Sequence, residues 1–235
     1  MRAATYNRAV QPSDPGRSFR DLTIEDFVGR LASSDPVPGG GSASAVAAAL
    51  GASLVTMVAS LTTGRSKYAE HEPMLGWAAE TGRRLSEKFL DIADADADAY
   101  GGYAAALKLP RDTNAEIAAR SEAMQAAARR ASEAPLSCVE ACLDLLQAAE
   151  ALAGRSNPNA SSDVDVAALL GEAAARGAAA NVMINLPSTG DPELEGRLTE
   201  RVTELLAAIG DLASQTHQAI GSGERRDPVE RAERA

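Results

Sequence analysis

The apolar residues of the last third of the chain fall on a helical period. Leu194, Leu198, Val202, Leu205, Ile209 and Leu212 recur three or four positions apart, which predicts one stripe of a helix over about 192–220. Leu85, Phe89, Ile92, Tyr100, Tyr103 and Leu107 share one face of a longer helical segment, about 71–108, with a break or kink expected near Pro73 and Gly101-Gly102. "TIEDFVGRLAS" reads as a short helix, with Thr23 as its N-cap and Phe27 and Leu31 one turn apart. Thr113 and Glu116 have the spacing of a capping box for the next helix, which Pro135 is expected to divide in two. "GRSNPNASSD" is a polar loop, a helix follows to about Asn185, and "LPSTGDP" is a turn. No stretch alternates β-branched and polar residues as a strand would. The expectation is an all-α, up-and-down helical bundle of long, partly kinked helices. It forms one domain over 21–222, between a flexible arm at 1–20 and a charged tail at 223–235.

One segment lacks this two-faced pattern. "DPVPGGGSASAVAAALGASLVTMVASLTTGR", residues 35–65, has no charged side chain between Asp35 and Arg65. Its serines, threonines and alanines make a poor bilayer span, which needs about 20 strongly apolar residues. A helix over about 42–63 that is small and uncharged all round fits the inside of a bundle, where small residues let backbones approach. The preceding "PGGGS" is not a phosphate loop, because Gly41 is followed by Ser42 and not by Lys. Two readings remain open. Gly39, Gly40, Gly41 and Ser42 could present open backbone amides to an anion at a helix N-terminus, or the glycines could simply supply a tight turn with positive φ.

Composition narrows the function class. With 45% hydrophobic residues in 235 the chain can bury a substantial core, and with only 3% aromatics that core must be built from closely packed small side chains. A formal net charge of −10 with no basic stripe argues against nucleic acid as a partner. Cys138 and Cys142 lie one helical turn apart with no second Cys/His pair, so they read as buried thiols in a reduced, cytoplasmic protein, with no metal site and no disulfide framework. Residues 1–20 contain no apolar h-region, so no secretory signal or membrane association is expected.

Candidate chemistry lies in "DIADADADAY". Read as a calcium loop it fails, since alanines occupy the positions of the required glycine and bidentate glutamate. On a helix, Asp91, Asp94 and Asp98 point away from the apolar face, whereas Asp96 falls in its middle. A carboxylate there must be paired, hydrogen-bonded or raised in pKa, and either a functional group or a structural network would account for it.

Six motifs together resemble the cyclodeaminase/cyclohydrolase family, which comprises the C-terminal half of bifunctional formiminotransferase-cyclodeaminase and stand-alone bacterial methenyltetrahydrofolate cyclohydrolases. They are "PGGGS" (38–42), "GRSKY" (64–68), "DADADAY" (94–100), "LPRDT" (109–113), "SDVDVAALL" (162–170) and "NVMINL" (181–186), in family order and spread over about 22–220. The resemblance implies an all-helical homodimer, a folate bound near the protomer interface, and neither metal nor cofactor. It places the family's paired aspartates on Asp94 and Asp96, its basic turn on Arg65 and Lys67, its loop asparagine on Asn157, its Ser-Asp pair on Ser162 and Asp163, and its helix asparagines on Asn181 and Asn185. This chain has no formiminotransferase half.

The implied chemistry is hydrolysis of 5,10-methenyltetrahydrofolate to 10-formyltetrahydrofolate, or the related cyclodeamination that releases ammonia from a formimino group. Both pass through a tetrahedral carbon and need one positioned carboxylate as general acid and base. Asp96 is the first candidate because it alone lies on the inward face, and Asp94 is the second. Gly39–Ser42, Asn157, Ser162, Asp163, Asn181 and Asn185 are candidate substrate contacts, and Arg65 and Lys67 are candidates for holding the anionic tail. The bland alternatives are that Arg65 and Lys67 complement the end of a helix and that "NPNASSD" merely caps the next one. A non-enzymatic helical folate-binding or interaction protein is the competing function, although the carboxylate such a binder would lose is present.

Overall fold

The computed structural model describes residues 18–229. Six helices carry the fold: α1 (Ile24–Leu31), α2 (Gly40–Thr62), α3 (Glu72–Leu107), α4 (Asn114–Leu152), α5 (Ser161–Asn185) and α6 (Pro192–Ser222), with short 3₁₀ turns at Phe19–Asp21, Ser66–His71, Pro158–Ala160 and Leu186–Thr189. No strand occurs among the described residues. Thr23 caps α1 by accepting from the Asp26 amide, and Thr113 and Glu116 form the expected capping box on α4.

The uncharged helix α2 lies between α3 and α5, with α4 behind it. It is apolar and long enough to pass a length-and-composition test for a membrane span, with a mean hydropathy of 1.8 over its best window, but half of that window is buried in the bundle. Small residues make this packing possible. A Cβ on Gly82 of α3 would stand 2.6 Å from the Ala52 carbonyl oxygen of α2, so only glycine lets the two backbones approach. Around this alanine-rich contact the larger side chains, Phe89, Leu85, Leu145, Leu146, Leu152 and Ile209, fill the core without solvent exposure.

The three expected interruptions are absent. α3 runs unbroken through Gly101-Gly102, and Pro73 sits in its first turn, where a missing amide costs nothing. α4 also continues through Pro135. Proline leaves the carbonyl four residues back, that of Ala131, without its helical donor. Asn185, from the end of α5, supplies one: its Nδ2 donates to the Ala131 oxygen at 2.9 Å.

Residues 1–17 of the expected arm and 230–235 of the expected tail lie outside the described residues. Within the arm's span, residues 18–20 are docked. Both Asp94 carboxylate oxygens accept from this segment, one from the Ser18 hydroxyl at 2.5 Å and the other from the Phe19 amide at 2.8 Å, and Arg20 pairs with Asp91. The segment after α6 is likewise held. The Arg226 amide donates to the Gly154 oxygen at 3.0 Å, Arg226 pairs with Glu150, and Arg155 donates to the Asp227 oxygen at 2.6 Å.

Candidate active site

α2 begins at Gly40 with Gly39 as its N-cap, two residues earlier than the pattern suggests, and no side chain caps its first turn. None of Gly39, Gly40 and Gly41 has positive φ, so the tight-turn reading of the glycines is corrected. Their small size matters in place of their flexibility. A Cβ on Gly41 would lie 2.2 Å from Asp96 Oδ1 and 2.5 Å from its Cγ: the Asp96 carboxyl rests directly on the Gly41 backbone.

Asp96 is half-buried, and its Oδ2 lies 3.0 Å from the Ser42 hydroxyl, which also lies 3.0 Å from the Ala93 carbonyl oxygen. Burial pushes the Asp96 pKa up from the ordinary carboxylate value, while hydrogen bonds from the Ser42 hydroxyl and amide pull partly against it. Ser42 has one hydroxyl hydrogen and therefore two arrangements. With Asp96 ionised, Ser42 donates to Oδ2. With Asp96 protonated, the carboxyl donates to Ser42 Oγ, and Ser42 turns its hydrogen to Ala93. The pair can thus hold or release a proton without leaving a polar atom orphaned. Ser42 is fully buried, and its hydroxyl meets Asp96 and the Ala93 carbonyl.

Asn181 completes this cluster. Its Nδ2 donates to the Gly177 oxygen at 2.9 Å and lies 3.6 Å from where a Gly40 Cβ would be. Asn185, one turn later, sends an amide hydrogen to the Ala131 oxygen of α4. Asp94 is also drawn away, its carboxylate engaged by Ser18 and Phe19.

The remaining candidates gather at the opposite end of α2, ~34 Å away at 1.5 Å per residue. Arg65 is the exposed N-cap of the turn Ser66–His71. Lys67 and Asn157 line a cleft of about 170 Å³ whose walls also include Ser161 at the start of α5 and Arg225 from the segment after α6. The Asn157 Oδ1 accepts from the Asn159 amide, and Ser162 and Asp163 lie in the first turn of α5. Arg225 was not foreseen: nothing in its charged neighbourhood signals docking. Lys67 and Arg225 lie over the buried Tyr68 ring, at 5.4 and 5.5 Å from its centroid. His71 is buried in the same turn with Nδ1 unpaired, and burial lowers its pKa, so it adds no positive charge. Cys138 and Cys142 are buried free thiols, and the hydrogen bond with Cys138, together with burial, pushes the Cys142 pKa well up. No metal-binding cluster of His, Cys, Asp or Glu occurs among the described residues.

The formiminotransferase-cyclodeaminase family model matches residues 23–204. The methenyltetrahydrofolate cyclohydrolase of Methylorubrum extorquens is 36% identical over 200 residues, covering 85% of this chain and 96% of that protein. The formimidoyltransferase-cyclodeaminase of Rattus norvegicus is 33% identical over 217 residues; the match covers 92% of this chain but only 40% of the rat protein. Among solved structures, the crystal structure of formiminotetrahydrofolate cyclodeaminase from Thermotoga maritima superimposes with a TM-score of 0.78 at 27% identity, covering 86% of this chain and 98% of that one.

Proposed function

The chain belongs to the formiminotransferase-cyclodeaminase family, and from that premise we propose that it is a folate one-carbon enzyme, a methenyltetrahydrofolate cyclohydrolase. The carrying observation is the Asp96 carboxyl. It lies against the first turn of α2, is raised in pKa, and is hydrogen-bonded so that it is stable with or without its proton. The substrate's amidinium carbon bridges two nitrogens and carries positive charge. Ionised Asp96 stabilises that charge and takes a proton from the attacking water as its oxygen bonds to the carbon. The protonated carboxyl then returns the proton to the ring nitrogen as the carbon–nitrogen bond breaks, and the adduct's hydroxyl gives up its remaining proton to solvent as it becomes the carbonyl of the formyl group on the other nitrogen, so that hydrolysis of the cation releases one proton. The carbon keeps its oxidation level, so the step calls on no redox cofactor.

Cyclodeamination is the second reading. It is favoured by the likeness of 86% of this chain to the Thermotoga maritima structure, and would use the same carboxyl to protonate departing ammonia. Offering the purified protein both substrates and following the methenyl chromophore separates the two: hydrolysis bleaches it and deamination produces it. No change with either substrate leaves a folate-binding protein, and the enzymatic proposal fails.

We further propose a homodimer in the cytoplasm. The outward face of α2 exposes Leu50, Met57 and Leu61 in an uncharged stripe. Antiparallel pairing of α2 with its copy would cover that stripe and bring the partner subunit's Lys67 end beside Asp96. A single chain separates the two ends by more than a pterin, a benzoyl ring and one glutamate can span. Leu50→Asp should give a monomer in sedimentation together with loss of turnover; a fully active wild-type monomer would refute the arrangement.

A further inference from the structure

We propose that Tyr100 is a stacking residue of the Asp96 site: its ring takes the flat face of a ring-fused amidinium cation, and so makes the site select the charged substrate over the neutral product. The proposal rests on the folate reading above and names what that site recognises.

Leu85, Phe89, Ile92, Tyr100, Tyr103 and Leu107 share one face of α3, and the structure divides that face in two. α2 runs antiparallel to α3, with Thr56 at Ala79, Ala52 against Gly82 and Gly41 against Asp96. Leu85, Phe89 and Ile92 are therefore covered, with exposures of 0, 0 and 7%. α2 begins at Gly40, level with Asp96, whereas α3 continues to Leu107, about 16 Å further at 1.5 Å per residue. Past the start of α2 the stripe is open: Tyr100 is 44% exposed and Leu107 43%. The apolar face thus runs out of protein cover at the carboxyl that the reaction uses, which is where a bound ring would supply the cover.

Tyr100 follows Asp96 by one helical turn, about 6 Å along the axis and about 40° around it. It makes no hydrogen bond, ring stack or cation contact among the described residues, so its face is unspent. The chain is only 3% aromatic, yet two of its four tyrosines stand on this side of α3 within two turns of Asp96. The core is filled mainly by alanine, leucine and valine, so an exposed ring here answers no packing need.

Carboxyl and ring together fit one kind of ligand. A carboxylate alone takes any cation, and an exposed ring alone takes any flat apolar group. The pair, one turn apart, takes a flat group that carries positive charge. The methenyl substrate is such a group, with its charge spread over an amidinium fused to the pterin. The face of a tyrosine ring is negative, and its attraction for the cation adds to that of ionised Asp96. Hydrolysis removes the charge. The product keeps the pterin, loses both attractions and leaves more readily.

Calorimetric titration of the full-length Asp96→Asn protein, in which turnover is blocked, compares 5,10-methenyltetrahydrofolate with neutral 10-formyltetrahydrofolate. Adding Tyr100→Leu should weaken the cation about five- to thirtyfold and the neutral ligand less than about threefold. Tyr100→Phe, which keeps the ring face, should hold both within about threefold. Ile117→Ala, which trims a 52% exposed side chain on the neighbouring α4, should change neither. In the otherwise unsubstituted protein Tyr100→Leu should raise KM for the methenyl substrate by the same factor, with Tyr100→Phe near wild type. That comparison decides if Asp96→Asn binds too weakly to titrate. Undiminished affinity for the cation in Tyr100→Leu, or equal losses for cation and neutral ligand, overturns the proposal. So does a monomer in sedimentation for Tyr100→Leu where the wild type is a dimer, because the ring then belongs to a subunit contact. A failed folate reading shows as no turnover of either substrate by the unsubstituted chain, and with no binding of either ligand it removes this proposal as well. A failed stack shows as turnover that does not depend on the ring.

Discussion

Replacing Gly41 with alanine tests the central geometry without altering any titratable group. The new Cβ would stand 2.2 Å from Asp96 Oδ1 and 2.5 Å from Cγ, whereas ordinary contact needs ~3.5 Å, so the carboxyl must retreat by about 1 Å. A misplacement of that size costs about 10²-fold in rate when the displaced group does the chemistry, or roughly 2.7 kcal/mol of barrier. Stability should change less. Alanine gains about 0.5–1 kcal/mol over glycine in a helix, which offsets part of the strain of overpacking, about 1–3 kcal/mol. Gly101→Ala is the matched control, since a Cβ there meets nothing within 4 Å. It should raise stability by about 0.5–1 kcal/mol and leave turnover unchanged. The assay is kcat/KM on the methenyl substrate, with thermal unfolding of each variant alongside. If Gly41→Ala keeps more than a third of wild-type kcat/KM, the position of Asp96 against α2 is not what the reaction uses.

Asp96→Asn should lower turnover by at least about 10²-fold while the protein stays folded. Because the folded pKa of Asp96 is raised, the native state binds more protons than the unfolded chain between the two pKa values; its stability therefore falls as pH rises through that window, and Asp96→Asn should be more heat-stable than wild type at neutral pH but not in acid. Ser42→Ala removes a hydrogen bond that favours the ionised carboxylate, so the acidic limb of the kcat/KM profile should move to higher pH; an unmoved limb would show that Ser42 does not tune Asp96. Asn185→Ala should cost about 1–3 kcal/mol by orphaning the Ala131 carbonyl, and much less in a Pro135→Ala background, where the helix regains its own donor. Denaturant unfolding of the two single variants and the double variant gives the coupling, and additive losses would refute the pairing.

The helices were readable in the sequence because their signals are local. Periodic apolar positions, Thr23, and the Thr113–Glu116 box each act within a turn or two, and the helices lie close to where these place them. Asp96 was readable for the same reason: three aspartates point one way and one points the other, and helical periodicity alone separates them. What periodicity leaves open is what each carboxylate meets. Asp94 looks like a solvated group or a catalytic partner until a segment 75 residues earlier in the chain is seen to occupy it. Arg225 likewise sits in a run of charges that resembles a solvated tail, and only its contact with Lys67, 158 residues away, gives it a place.

Pro135 and Asn185 show how two distant residues explain one another. Proline in a helix predicts a break because, within its own segment, nothing can replace the lost donor. Asn185 was a candidate through the family resemblance alone, and nothing within its own segment shows that it faces α4. One of its amide hydrogens reaches across 54 positions to the Ala131 oxygen, and the helix stays whole because that donor replaces the one proline lacks. Asn181, one turn earlier on α5, bonds only within its own helix and stands beside Gly40. The two helix asparagines of the motif therefore differ in what they meet, with Asn185 bonded to α4 and Asn181 beside the first turn of α2, where the Asp96 carboxyl lies against Gly41.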